Sequence, residues 1–294
     1  MHVFVTGATG FVGSAVVREL LRAGHTVTGL ARSEASAAKL AAAGASALPG
    51  DLTDTDSLIA GAKQADGVIH MGFIHDFSNY MASVEVDRHA ITALGETLAG
   101  TGRPLLVTSG LAISRTGPVG TENDPVDPAV PRLSEAAALP FAERDVRVSA
   151  VRLSPSVHGK GDHGFVPALI GIAREKGLSA YVGDGANRWP GVHVDDAARL
   201  FVLALEKGEG GARYHGVGDG GAAFRDIAAI IGKKLGLPVA SLTPEEAPGN
   251  FGWMANFAAL DMPTSSDLTQ QRLGWRPTGP SLLDDLAHGT YFGA

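Results

Sequence analysis

The stretch Gly7-Ala8-Thr9-Gly10-Phe11-Val12-Gly13 constrains this chain more than any other. It follows an apolar run, Val3-Phe4-Val5-Thr6, and opens residues 11–23, where Val12, Val16, Val17, Leu20 and Leu21 recur at helical spacing. Strand, glycine turn and helix together turn three glycines into a nucleotide site. The first glycine permits the tight turn, and the second lets backbone approach a pyrophosphate. The third lets helix and strand pack closely, while the helix N-terminus faces the anion. Gly7, Thr9, Gly10, Phe11, Val12 and Gly13 are therefore predicted to cradle a dinucleotide.

The rest of the first half repeats that rhythm. Residues 26–31 read as a second strand, 33–43 as an alanine-rich helix, 45–48 as a third strand and 67–71 as a fourth. A long helix over 78–99, a fifth strand over 104–109, a helix over 133–143 and a strand over 146–153 follow. Strands alternating with helices predict an α/β Rossmann-type fold, a doubly wound parallel sheet with its ligand crevice at the strands' carboxyl ends. Residues 1–155 are expected to form the dinucleotide-binding core, with later segments returning to it. Residues 156–294 are expected to form mainly a smaller substrate-binding lobe. Residues 110–131 are rich in Gly, Pro and acids and predict an irregular segment over the active-site face.

Composition narrows the partners. A net charge of −7 over 294 residues argues against nucleic acid, whose phosphates need a basic surface. No apolar run approaches the roughly 18 residues of a membrane span. The N-terminus enters a strand without a basic region and cleavage site, so no secretory signal is visible. With no cysteine there is no disulfide, thiol nucleophile or thiolate metal site. The expectation is a soluble, cytoplasmic protein with a small-molecule substrate, no nucleic acid and no membrane.

The second strand ends at Arg32-Ser33. An acid there would accept from a ribose 2′-OH, whereas arginine suits a 2′-phosphate, so the predicted cofactor is NADP rather than NAD. Asp51 and Leu52, after the third strand, are placed to line the adenine. Met71, Gly72 and Phe73, after the fourth, are placed beside ribose and pyrophosphate.

Several stretches together resemble the short-chain dehydrogenase/reductase superfamily in its extended form, related to sugar-nucleotide epimerases and dehydratases. They are Thr6 to Gly13, Asp51-Leu52, Val68-Ile69-His70-Met71, Val107-Thr108-Ser109, the segment Val151-Arg152-Leu153-Ser154-Pro155-Ser156-Val157-His158-Gly159, and Gly191-Val192-His193-Val194-Asp195-Asp196. The resemblance adds Thr108, Leu153, Pro155 and Ser156 to the expected cofactor set. It also adds Asp87, which stands where the family carries an asparagine in its long helix. A homodimer follows from the resemblance alone. The chain departs from the family at the catalytic Tyr-x-x-x-Lys pair: Tyr80, Tyr181, Tyr214 and Tyr291 are its four tyrosines, and none has lysine four residues on. The helix expected to carry the pair holds Arg132-Leu133-Ser134-Glu135-Ala136. In this the chain is similar to atypical members of the superfamily.

Hydride transfer still needs a group to polarise or protonate the substrate oxygen. Ser109, at the end of the fifth strand, is the expected hydrogen-bond donor. His75, followed by Asp76 and Tyr80, and His158 are expected near the same pocket, since imidazole titrates near neutrality. Arg132 could pin an anionic substrate group or simply start a helix. His158-Gly-Lys-Gly-Asp-His163 offers two His and one Asp, but its glycines predict a loop or lid, and no metal is expected. Asp195 and Asp196 are expected to cap a helix. Trp189, Phe251, Trp253, Met254 and Phe257 are expected mainly in the core. The combined expectation is an NADP-dependent reductase of a carbonyl or imine with a non-standard proton donor. The alternatives are a non-catalytic NADP(H) sensor and a sugar-nucleotide-type epimerase or dehydratase.

Overall fold

Strand and helix alternate through the protein, a computed structural model that describes residues 1–76 and 79–293. The order is β1 (His2–Thr6), α1 (Phe11–Arg22), β2 (Thr26–Ala31), α2 (Glu34–Ala43), β3 (Ser46–Pro49), α3 (Thr55–Gln64), β4 (Gly67–His70), α4 (Tyr80–Leu98), β5 (Pro104–Gly110), α5 (Ser134–Ala138) and β6 (Arg147–Leu153). There follow β7 (Ser156–His158), α6 (Phe165–Lys176), β8 (Ser179–Val182), β9 (Arg188–His193), α7 (Val194–Lys207), β10 (Arg213–Gly216), β11 (Asp219–Ala223), α8 (Phe224–Leu235), β12 (Val239–Leu242), α9 (Ala247–Phe251), α10 (Ala255–Ala259), α11 (Asp267–Leu273) and α12 (Leu282–His288).

Seven strands form one sheet in the order β3-β2-β1-β4-β5-β6-β10, and every pairing is parallel. The order reverses between β1 and β4, which opens the crevice characteristic of a Rossmann-type sheet at their carboxyl ends. Strand alternation feeds two cores. Val3, Val5, Ile69 and Leu106 pack toward α1 and α7, whereas Phe4, Val68, Leu105 and Val107 pack toward α3 and α4.

Helix α7 and strand β10 return to this sheet from the second half. The remaining elements make a lobe with a three-stranded sheet (β11-β9-β7) and a strand pair (β12-β8). Its core gathers Trp189, Phe224, Phe251 and Met254, while Trp253 and Phe257 are exposed. Asp196 ties the C-terminal segment to α7 by accepting from the backbone of Thr278 and Gly279 and from Arg199.

Three expectations shift. The helix over 133–143 is a short α5 followed by a 3-10 turn (Leu139–Arg144), because Pro140 lacks the N–H an α-helix would use. Helix α3, capped by Asp54 accepting from Ser57 N, was not anticipated. The long helix begins at Tyr80, and its predicted start at Ser78 lies outside the described residues.

Candidate cofactor and substrate cleft

The glycine turn is shaped by its own sterics. Gly7 has φ +68°, and a Cβ there would sit 2.7 Å from Gly72 N. A Cβ on Gly13 would fall 2.0 Å from Gly7 O, so this position brings α1 hard against the turn. Gly10 caps α1 in an extended conformation with no side-chain cap bond, and the helix has no acid in its first turn. The N–H groups at its start face a cleft of about 530 Å³. A helix N-terminus of this kind favours an anion.

Gly7, Thr9, Gly10, Phe11, Val12, Gly13, Arg32, Leu52, Met71, Gly72, Phe73, Thr108, Leu153 and Pro155 all line that cleft, as the sequence suggested. Ser33 and Asp51 line an adjoining hollow of about 520 Å³, which Arg32 shares. There Ser33 caps α2 by accepting from Ser36 N, and Arg32 Nε lies 3.9 Å from Asp51 Oδ2.

Four predicted residues line neither the cleft nor the hollow, and strand alternation accounts for three. On β5, Thr108 follows Leu106 onto the α1 side, so Ser109 follows Leu105 and Val107 onto the opposite side and is buried. On β7, Val157 faces the cleft, so Ser156 and His158 turn away together. His158 is fully buried and its Nδ1 bonds Asp285 Oδ2 at 2.9 Å. Burial holds its pKa below the ordinary value despite that carboxylate. Asp87, on α4, is buried among protein partners rather than beside the cofactor space.

Those partners form a polar chain that ends in the cleft. Thr6 Oγ1 accepts from Met71 N (3.2 Å) and Gly72 N (3.0 Å), which leaves its hydroxyl to donate to His70 Nδ1 at 2.9 Å. His70 Nε2 then meets Asp87 Oδ1 at 3.1 Å, and Ser134 Oγ donates to Asp87 Oδ2 at 2.6 Å. Arg132 Nε donates to Ser134 Oγ (2.9 Å) and its Nη2 to Thr108 O (3.0 Å). Burial pushes the Asp87 carboxyl up, but the bonds from His70 and Ser134 and the nearby positive charge outweigh it and hold the group ionised.

The same cleft is lined by Phe73, Ile74, His75, Arg132, Asp162 and His163, the last with its ring 6.0 Å from that of Phe11. The Arg132 guanidinium stacks 4.4 Å over the Phe73 ring. His75 has its pKa lowered by burial first, then by Arg132 and His163. Burial raises the Asp162 carboxyl, which accepts from Tyr291 Oη at 2.7 Å. Ser36, Ile74, Val157, Asp162 and His163 were not assigned to the site from sequence; the glycine-rich loop at 159–164 was the signal for the last two. The helix expected to hold a Tyr-x-x-x-Lys pair instead places Glu135 on buried Arg152, at 2.7 and 3.0 Å, and on Arg213 at 2.6 Å.

The model of the NAD dependent epimerase/dehydratase family matches residues 3–100 and 135–217. The chain belongs to that family. Its relatives in the family and beyond include an uncharacterized protein of Schizosaccharomyces pombe, 54% identical over 295 residues, covering 99% of this chain and 100% of that one. A 2-alkyl-3-oxoalkanoate reductase of Stenotrophomonas maltophilia is 28% identical over 222 residues, 70% of this chain and 66% of that one. The fold also matches a dTDP-glucose 4,6-dehydratase from Streptomyces venezuelae solved with NAD bound: TM-score 0.79, 22% identity, 99% of this chain and 96% of that chain. The glycine cradle here fits the dinucleotide of the family name: its backbone approaches leave no room for a Cβ at Gly7 or Gly13.

Proposed function

We propose that this protein is an NADP-dependent reductase of a carbonyl group in a small to medium organic substrate. The observation that carries the reading is a single cleft lined both by the Gly7–Gly13 turn and Arg32 and by His75, Thr108 and Arg132. The bound nicotinamide would supply the hydride. The protein supplies position, charge and a proton.

The start of α1 holds the pyrophosphate, and Arg32 with the N-terminus of α2 holds the 2′-phosphate. Ser109 does not line the cleft, so the role expected of it passes to residues that do. Thr108 is committed, its Oγ1 donating to His70 O at 3.1 Å, and so fixes the cleft wall instead of the substrate. His75 is the proton donor. Its lowered pKa makes the charged imidazolium a strong acid toward the oxygen that hydride transfer leaves negative. Loss of the proton is favoured by the same burial and the same Arg132 charge.

The test is NADPH oxidation over a panel of ketones, aldehydes and imines. Turnover that falls at least a hundredfold in His75→Gln supports the assignment. NADPH binding at one per chain with no turnover on any member would replace it with a sensor. Isomerisation of a sugar nucleotide without net NADPH loss would replace it with an epimerase.

A further inference from the structure

We infer that the substrate carries a carboxylate, held by Arg132, in addition to the group that is reduced. This deepens the reductase reading and rests on it for the identity of the bound molecule. Arg132 lines the cleft, half-buried, in a protein whose net charge is −7. Among the described residues no ion pair joins its guanidinium to a carboxylate, whereas Arg144 and Arg152 sit directly on glutamates and Arg103 and Arg147, which also lack a carboxylate, spend their donors on backbone carbonyls.

Its donor count points the same way. Arginine has five N–H donors, and two are committed: Nε to Ser134 and Nη2 to the Thr108 carbonyl. What remains is Nη1 and the second N–H of Nη2, the paired edge that takes a carboxylate with two parallel bonds. Stacking on Phe73 at 4.4 Å holds the plane of that fork. The buried chain through Ser134, Asp87, His70 and Thr6 holds its root. Asp87 is hydrogen-bonded to Arg132 only through the Ser134 hydroxyl, so it orients the cation, whose charge it also feels, without occupying the paired edge. Asp87 and Ser134 are thus positioning residues.

The neighbouring groups favour one anion over larger ones. His75, His163 and Asp162 line the same cleft as Arg132. A single guanidinium in a cleft that also holds an acid matches a planar, singly charged carboxylate better than a phosphate. The field of Arg132 reaches His75, since it helps lower that imidazole's pKa, so the anion and the proton donor would meet the same small molecule.

Binding and turnover separate this inference from the reading beneath it. Calorimetry on the NADPH-saturated protein compares hexanoate, methyl hexanoate and hexyl phosphate. Turnover compares 4-oxo- and 5-oxohexanoate with their methyl esters. Hexanoate is expected to bind at least tenfold tighter than its ester, and the oxo acids to show KM values at least tenfold lower than theirs. Arg132→Met should abolish both preferences. Arg132→Lys, which keeps the charge without the fork, and Ser134→Ala, which frees it, should each lose most of them, with folding checked by the thermal midpoint. Equal affinity for acid and ester, a preference that survives Arg132→Met, or tighter binding of hexyl phosphate would overturn the inference. Carboxylate preference without NADPH consumption would leave the anion site standing and remove the reductase. Consumption of esters and acids alike would do the reverse.

Discussion

Arg32→Ala tests the cofactor assignment directly. The side chain is 71% exposed, so its contact with a 2′-phosphate is worth less than a buried charged hydrogen bond. Charged hydrogen bonds contribute roughly 1.5–3 kcal/mol, and exposed ion pairs about 0.2–1. Asp51 Oδ2, 3.9 Å from Nε, competes for the same cation. Against that, the start of α2, where Ser33 caps the helix by accepting from Ser36 N, lies at the same place and adds helix-terminus donors. The loss expected on removing Arg32 is therefore about 1.4–2 kcal/mol, or roughly 10- to 30-fold in NADPH affinity. NADH has no 2′-phosphate and serves as the internal control; its affinity should change less than twofold. Titration calorimetry of both cofactors on both proteins gives the ratio. Raising salt toward 1 M, where the screening length falls to about 3 Å, should erode the wild-type preference and leave NADH binding nearly level. Asp51→Asn should move the ratio the opposite way by removing the competing charge. An unchanged NADPH/NADH ratio in Arg32→Ala, or equal losses for both cofactors, would refute the assignment.

Other perturbations follow from the same contacts. Gly13→Ala places a methyl 2.0 Å from Gly7 O, so the turn must move; a stability loss of about 1–3 kcal/mol and a cofactor affinity loss beyond tenfold are expected by thermal melting and calorimetry. Glu135→Ala leaves Arg152 buried without its carboxylate, which costs about 3–5 kcal/mol in urea unfolding, whereas breaking a surface pair such as Arg144–Glu96 should cost far less. For His75, the acid form grows as pH falls, and its pKa lies below 6.5, so kcat/KM for reduction should rise as pH drops through that value; His75→Gln should flatten the profile, and a flat wild-type profile would rule the residue out. Asp124 accepts from Thr116 and Thr121, which hold its pKa near 2 against an ordinary 3.8, so its stabilisation of the 110–131 segment is present above about pH 4 and disappears as pH falls toward 2. Asp124→Asn should remove that acid-dependent component from melts run between pH 2 and 5.

Local sequence was enough for the sheet and the cradle because both are dictated at short range. The turn at Gly7 needs φ +68°, and the approach at Gly13 tolerates only hydrogen, so glycine is recognisable there without knowing any neighbour in space. The doubly wound order follows from strand–helix alternation and right-handed crossovers. The catalytic end depends on a different kind of information. Ser109 and His158 were sound candidates by type and by strand end, yet one residue of alternation on β5 and on β7 turns each away from the cleft. Which face a strand shows is set by what packs beneath it, and Leu105, Val107 and Asp285 are the residues that settle it.

Asp87 shows how far a correct position can mislead about role. Its place in the long helix marks it as part of the site, but its contacts run from Thr6 in β1, through His70 in β4, to Ser134 in α5, partners separated by 64, 17 and 47 residues along the chain. No periodicity encodes such a set. Once assembled, it joins the cleft-lining backbone at Met71 and Gly72 to the Arg132 guanidinium. A buried chain of this kind, with each donor matched to an acceptor, fixes orientation at both ends at once. The Gly7–Gly13 turn and Arg132 are therefore not independent features of the cleft. Disrupting Asp87 should loosen Arg132 first, because the Arg132–Ser134 bond is its most solvent-near link, while Thr6 remains pinned by two backbone N–H groups. Hydrogen exchange in Asp87→Ala should therefore rise around residues 132–134 more than at residues 71–72, and the opposite order would show that the chain stabilises the turn instead.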